Sequence, residues 1–192
     1  MIVVVFISLL GMNTNPVLAD VPAADYYVDN TITCSDSGAG TLALPFCSIS
    51  RGTFLAVAGE TVYVLNGTYA ETVYVENSGT AGNPITIQAA PGVTVTGNSA
   101  GFGSAFALTS QSYIVIDGFN IYHTKYKGIY VDSCDHITIS NNHVSYAGAD
   151  TGPDQHQQGI FISGTTNSLI TGNTTEYNSC IGIRLINGSD YN

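Results

Sequence analysis

The chain has 192 residues, 44% hydrophobic and 9% charged, enough apolar material for one core and little for a second. Four Lys and Arg stand against 14 Asp and Glu, a formal net charge of -10, which repels nucleic acid and anionic membranes and excludes both as partners. Tyr is frequent at 12, Trp is absent, and 21 Gly stand among many Thr, Ser and Asn, a composition of short strands and tight turns.

The first predicted element is a targeting segment. Residues 1–19, MIVVVFISLLGMNTNPVLA, are an apolar run ending in small residues at Val17, Leu18 and Ala19, which fits the apolar region and cleavage site of a secretory signal. The run falls short of the roughly 20 apolar residues that cross a bilayer. The expectation is an extracellular chain with one mature domain over 20–192. Export permits disulfides, and Cys34 and Cys47 bracket the Gly-rich stretch CSDSGAGTLALPFC, where a bond would pin the start of the domain. Cys134 and Cys180 fall at different phases of the repeat described below and read as small buried residues. Next, SISRGTFLAVAG (48–59) places Ile49, Phe54, Leu55 and Val57 on one helical face and stops at Gly59. That spacing predicts a short helix, suited to capping the open end of a stacked fold.

Alternating runs follow: Val62-Tyr63-Val64, Val73-Tyr74-Val75, Ile85-Thr86-Ile87 and Val93-Thr94-Val95. Then a regular repeat takes over. AFALTS from Ala105, GIYVDS from Gly128, GIFISG from Gly159 and GIRLIN from Gly182 align at spacings of 23, 31 and 23. A second set, YIVIDGFNI from Tyr113, HITISNNHV from His136 and NSLITGNTT from Asn167, is spaced at 23 and 31. Each unit reads strand, turn, strand, turn, strand. Such a unit buries its apolar residues only by stacking the next one about 4.8 Å away, which is a parallel β-helix. Asn142 and Asn173 recur at one turn, where inward amides bond the backbone of adjacent coils. The chain stops in mid-unit after GIRLINGSDYN, and the expectation is a fragment of a longer protein.

Alternation in the GIxI strands puts Ile129, Val131, Ile160, Ile162, Ile183 and Leu185 inside and leaves Tyr130, Phe161 and Arg184 in one outward column. Two rings and a guanidinium suit stacking on a pyranose and pairing with a carboxylate, so these three are the substrate-binding candidates. The longer interval carries its eight extra residues just before the Phe161 strand, in YAGADTGPDQHQQG. Asp150 and Asp154 are the metal-ligand candidates there and His156 an acid–base candidate, although Gly, Pro and Asp also make ordinary turns. Lys125 and Lys127 lie in the equivalent connector one coil earlier and, with Arg51 and Arg184, are the only basic side chains. Lys127 is the candidate base; a solvated turn is the other reading of HTKYKG, since a perturbed lysine needs burial. His123, His136 and His143 read as ladder or surface residues.

YYVDN (26–30), GTLALPFCSI (40–49), GETVYVLNGTY (59–69) and SGTAGNPITIQAAPG (78–92) resemble, in that order, the opening of secreted polysaccharide lyases of the pectate lyase superfamily. The similarity is to its family-9 pectate lyase and chondroitinase B/alginate lyase branches, and the later repeats resemble the wider right-handed β-helix group. The resemblance implies Ca²⁺ held by Asp, Asn or Glu on a uronate carboxylate, with a Lys or Arg removing the α-proton before the 4-linked sugar leaves by β-elimination. The α-proton is weakly acidic, so the developing enolate needs a cation and a positioned base. No family motif carries a catalytic residue onto a position of this chain. The combined expectation is a secreted, monomeric, all-β protein, a right-handed parallel β-helix of ~23-residue coils with an N-terminal capping helix. It binds acidic polysaccharide and, at full length, cleaves it as a polysaccharide lyase with Ca²⁺ as cofactor. The alternative is a non-catalytic glycan-binding or tail-spike-like module. The charge of -10 makes the enzyme reading depend on Ca²⁺ or further basic residues.

Overall fold

Short alternating runs separated by Gly, Asn and Ser become short strands, and the chain winds them into five stacked coils. The computed structural model describes residues 21–97, 103–148 and 157–189; the predicted signal segment 1–19 lies outside them. An opening strand β1 (Tyr26–Val28) is followed by helix α1 (Ile49–Leu55). The first coil holds β2 (Thr61–Val64), β3 (Thr68–Tyr69) and β4 (Val73–Val75), and the second β5 (Ile85–Ala89), β6 (Thr94–Val95) and β7 (Phe106–Thr109). The third holds β8 (Ser112–Asp117), β9 (Asn120–Tyr122) and β10 (Ile129–Asp132), and the fourth β11 (Asp135–Ser140), β12 (His143–Ser145) and β13 (Gln158–Ser163). The fifth holds β14 (Leu169–Thr171), β15 (Thr174–Glu176) and β16 (Ile181–Ile186). Equivalent strands form three sheets, A (β1-β2-β5-β8-β11-β14), B (β3-β6-β9-β12-β15) and C (β4-β7-β10-β13-β16). Neighbours pair in parallel throughout, as a right-handed parallel β-helix requires.

Register explains the core. Val62, Ile87, Ile116 and Ile139 stack through sheet A, all completely buried. Phe106, Ile129 and Ile160 do the same in sheet C, as do Leu108, Val131 and Ile162. Each such side chain contributes about 1.5–3 kcal/mol of transfer free energy. Polar groups at the corner between sheets A and B are paired across coils. The Asn142 amide donates to the Ile116 carbonyl at 3.0 Å and to Asn173 Oδ1 at 3.0 Å, and its Oδ1 accepts the Phe119 N–H at 3.0 Å. Asn173 donates in turn to the Ile139 carbonyl at 2.7 Å. Asn178 makes a parallel clip farther on, accepting the Ala147 N–H at 2.9 Å and donating to the Val144 carbonyl at 3.2 Å.

Cys34 and Cys47 are disulfide-bonded, with Cα atoms 5.1 Å apart. The helix is shorter than 48–59 and turns a different face inward: Ile49, Gly52 and Thr53 are buried, whereas Phe54 and Val57 are exposed. The reason is a close approach to β2, since a Cβ on Gly52 would lie 2.7 Å from Val62 Cγ1. Cys134 is buried as expected, but Cys180 is exposed. Ile183 and Leu185 keep register with Ile160 and Ile162 yet are 38% and 40% exposed. All three residues sit on the fifth coil, and no described residue covers its far side.

Candidate functional site

The outward column exists and is longer than the sequence suggested. Tyr130 pairs in register with Phe161, and Phe161 with Arg184. The two rings lie with centroids 5.5 Å apart and planes within 2° of parallel. Below them Tyr74 of β4 pairs with Ala107 of β7, and Ala107 with Tyr130. The column therefore runs Tyr74, Ala107, Tyr130, Phe161, Arg184 along sheet C. Sequence alignment missed Tyr74 because its coil precedes the regular repeat.

Lys127 joins the column from the connector ahead of β10. Gly128 makes the join, because a Cβ there would lie 2.3 Å from Val144 Cγ1 and 2.6 Å from the Gly159 carbonyl oxygen. The ammonium then stands 5.1 Å from the Phe161 centroid and 5.8 Å from that of Tyr130. Cation–π attraction holds it over the rings. Burial, and after it the nearby Arg184 guanidinium, push the Lys127 pKa below its ordinary value, so the amine gives up its proton more readily than a surface lysine. The Tyr130 phenol is pushed up by burial and then by Asp132. Asp132, in the next outward row, accepts from Ser133 Oγ at 3.2 Å and keeps register with Ser163.

At the start of β13 Gln158 is 1% exposed, and neither of its side-chain amide atoms has a hydrogen-bond partner. The Gln157 side-chain oxygen is likewise buried without one. Buried unpaired amides cost about 1–3 kcal/mol each. Periodicity gave no signal for either residue. Asp135 plays a structural part: it accepts from Asn167 Nδ2 at 2.8 Å and Thr166 Oγ1 at 2.7 Å and meets His136 Nδ1 at 2.6 Å. Those bonds, Asn167's first, lower its pKa to about 2. His136 stacks on Tyr113 at 4.4 Å, and His143 pairs with Glu176 at 2.8 Å.

Of the candidates, the structure gathers Lys127, Tyr130, Phe161 and Arg184. Asp150, Asp154 and His156 lie outside the described residues. Among the described residues no three His, Cys, Asp or Glu side chains come together to hold a metal ion.

The profile of the Pel9A-like right-handed β-helix region matches residues 26–184. The chain belongs to this family. An uncharacterized protein of Bacillus subtilis, YwoF, is 32% identical over 163 residues, covering 72% of this chain and 34% of YwoF. The pectate lyase PEL9 of Emericella nidulans is 40% identical over 75 residues, covering 38% of this chain and 18% of the enzyme. This Pel9A-like chain thus spans about a third or less of the curated relatives it matches. Among solved structures, a rhamnogalacturonan lyase superposes with a TM-score of 0.51 at 15% identity, over 88% of this chain and 63% of the other. Pectate lyase Pel9A gives 0.51 at 16% identity, over 80% and 54%. At those identities the superpositions establish the fold of the Pel9A-like chain, while chemistry must be argued from its side chains.

Proposed function

We propose that the outer face of sheet C binds a uronate-bearing polysaccharide and that Lys127 is the base that starts its cleavage by β-elimination. One observation carries the reading: a half-buried lysine with a lowered pKa lies over two parallel aromatic rings, beside an arginine in the same column. The Tyr130–Phe161 pair offers an apolar wall to a pyranose ring. Arg184 pairs with the uronate carboxylate and stabilises the charge that develops on it as the α-proton leaves. Lys127, neutral, takes that proton from C5. The C5–H electrons form the C4–C5 double bond, the C4–O bond breaks, and the departing oxygen takes up a proton. The pectate lyase and rhamnogalacturonan lyase neighbours support a polysaccharide substrate. Export, as residues 1–19 suggest, would place the protein where such polymers occur.

The test is absorbance in the unsaturated-uronate band with pectate, alginate and chondroitin in turn, with added Ca²⁺ and then with EDTA. The expected result is a rise with one polymer that Lys127→Ala reduces at least about 100-fold, the scale of lost general-base catalysis. Binding of the polymer without any rise, from folded wild-type chain, would reject the lyase and leave a glycan-binding module.

A further inference from the structure

The same column has a second end with different chemistry. Beside Tyr74, a cavity of about 370 Å³ opens between α1 and β4, lined by Asp36, Arg51, Phe54, Tyr74 and Glu76. Phe54 and Tyr74 are 55% and 50% exposed, so two aromatic surfaces face solvent across it. Arg51 Nε is buried without a hydrogen-bond partner, and its guanidinium lies over the rings of Phe46 and Phe54, at 5.8 and 5.9 Å. The N–H groups of Cys47, Ser48, Ile49, Ser50 and Arg51 nearby already have partners. Glu71 accepts from the Ile49 and Ser50 N–H at 2.8 and 3.0 Å, and Asp36 from those of Cys47 and Ser48 at 2.8 and 3.1 Å. What is left for a ligand is a guanidinium donor, the exposed carboxylate of Glu76, and two rings.

That set fits neutral sugar. An arginine donates to a hydroxyl, a carboxylate accepts from one, and a ring covers the apolar face of a pyranose. Two carboxylates against one guanidinium leave the pocket with a net negative charge, which disfavours a uronate. At the other end Lys127 and Arg184 bring two positive charges beside the rings. Tyr74 and Phe161 are three coil steps apart through Ala107 and Tyr130, about 14 Å at about 4.8 Å per step, and a pyranose unit in a glycan chain is of the same order of length as one step. We infer that the Arg51–Tyr74–Glu76 pocket is a subsite for a neutral pyranose, about three units along from the acidic unit held at Lys127 and Arg184. This rests on the reading of sheet C as the glycan face and extends it: the preferred glycan carries a neutral unit at that distance from an acidic one, as the first and fourth units of an alternating tetramer do.

The experiment is calorimetric titration of the 192-residue chain with two probes, an alternating rhamnose–galacturonate tetrasaccharide and tetragalacturonate. Wild type should favour the alternating probe by about 10-fold, the worth of one good ring stack with its hydrogen bond. Tyr74→Ala should erase that preference by weakening the alternating probe about 10-fold and leaving tetragalacturonate within about 2-fold. Glu76→Gln, which removes a negative charge, should tighten tetragalacturonate. Both positions are exposed, so unchanged melting curves verify the fold. If both probes bind with equal affinity, or Tyr74→Ala weakens them equally, the neutral subsite is overturned. If Lys127→Ala still weakens both in that case, the reading of the glycan face stands. If neither probe binds wild type, both are overturned.

Discussion

At the scale of the residue, Lys127 shows how position turns an ordinary surface amine into a reagent. The amine lies over Tyr130 and Phe161, its head loses water, and Arg184 adds a like charge; burial first and then Arg184 oppose protonation. The linkage to stability has a definite sign. The folded-state pKa lies below the unfolded value of 10.5, so the cost of burying the charged form is fully present below the folded pKa and is relieved as pH rises toward 10.5. Lys127→Met carries no titrating group. The melting temperature of the Met variant minus that of wild type should therefore fall as pH is raised from neutral toward 10.5, and Arg184→Ala in both backgrounds should flatten the fall. Melting curves over that range check it; a constant difference would show that Lys127 titrates like a solvated lysine.

At the scale of the element, the coil is held by its corners as much as by its strands. Asn142 satisfies the Phe119 N–H and the Ile116 carbonyl from inside the stack, so Asn142→Ala leaves two buried backbone groups unpaired. At about 1–3 kcal/mol for each, the loss should be about 2–6 kcal/mol in equilibrium urea unfolding. A loss under about 0.5 kcal/mol would mean that water replaces the amide. This ladder was legible in the sequence, as were the three strands per coil and the Tyr130–Phe161–Arg184 column, because each repeats at fixed spacing and register copies phase from coil to coil. Contacts without a period were not legible. The buried face of α1 was misread because Gly52 approaches Val62 more closely than any larger residue could, and helical spacing carries no information about such an approach. The Arg51 pocket joins residues 36, 51–54 and 74–76 through the disulfide loop, the helix and an irregular coil, three segments with no common beat. Gln157 and Gln158 were invisible because an unpaired amide is a property of its surroundings rather than of its spacing.

At the scale of the whole molecule, scarce positive charge is concentrated where the negative chain would meet its ligand. Of four basic residues in a chain of net charge -10, Lys127 and Arg184 belong to the sheet C column and Arg51 lies beside Tyr74 at its other end. Lys125, over the Tyr126 ring at 5.3 Å, shares the connector that delivers Lys127. Two electrostatic effects with different ranges follow. The field of the whole molecule repels an acidic oligosaccharide at a distance, while the local cations attract it on contact. Salt separates the two, because the screening length falls from about 30 Å at about 0.01 M to about 10 Å at about 0.1 M, and half-buried charges are screened less than exposed ones. Association of tetragalacturonate should accordingly speed up with added salt over that range, opposite to the usual behaviour of complementary partners, while dissociation changes little. Lys127→Ala should raise the dissociation rate and leave the salt response of association in place. Stopped-flow or surface-based kinetics at several ionic strengths check this. Association that slows steadily with salt would mean that the cations of sheet C outweigh the rest of the molecule even at long range.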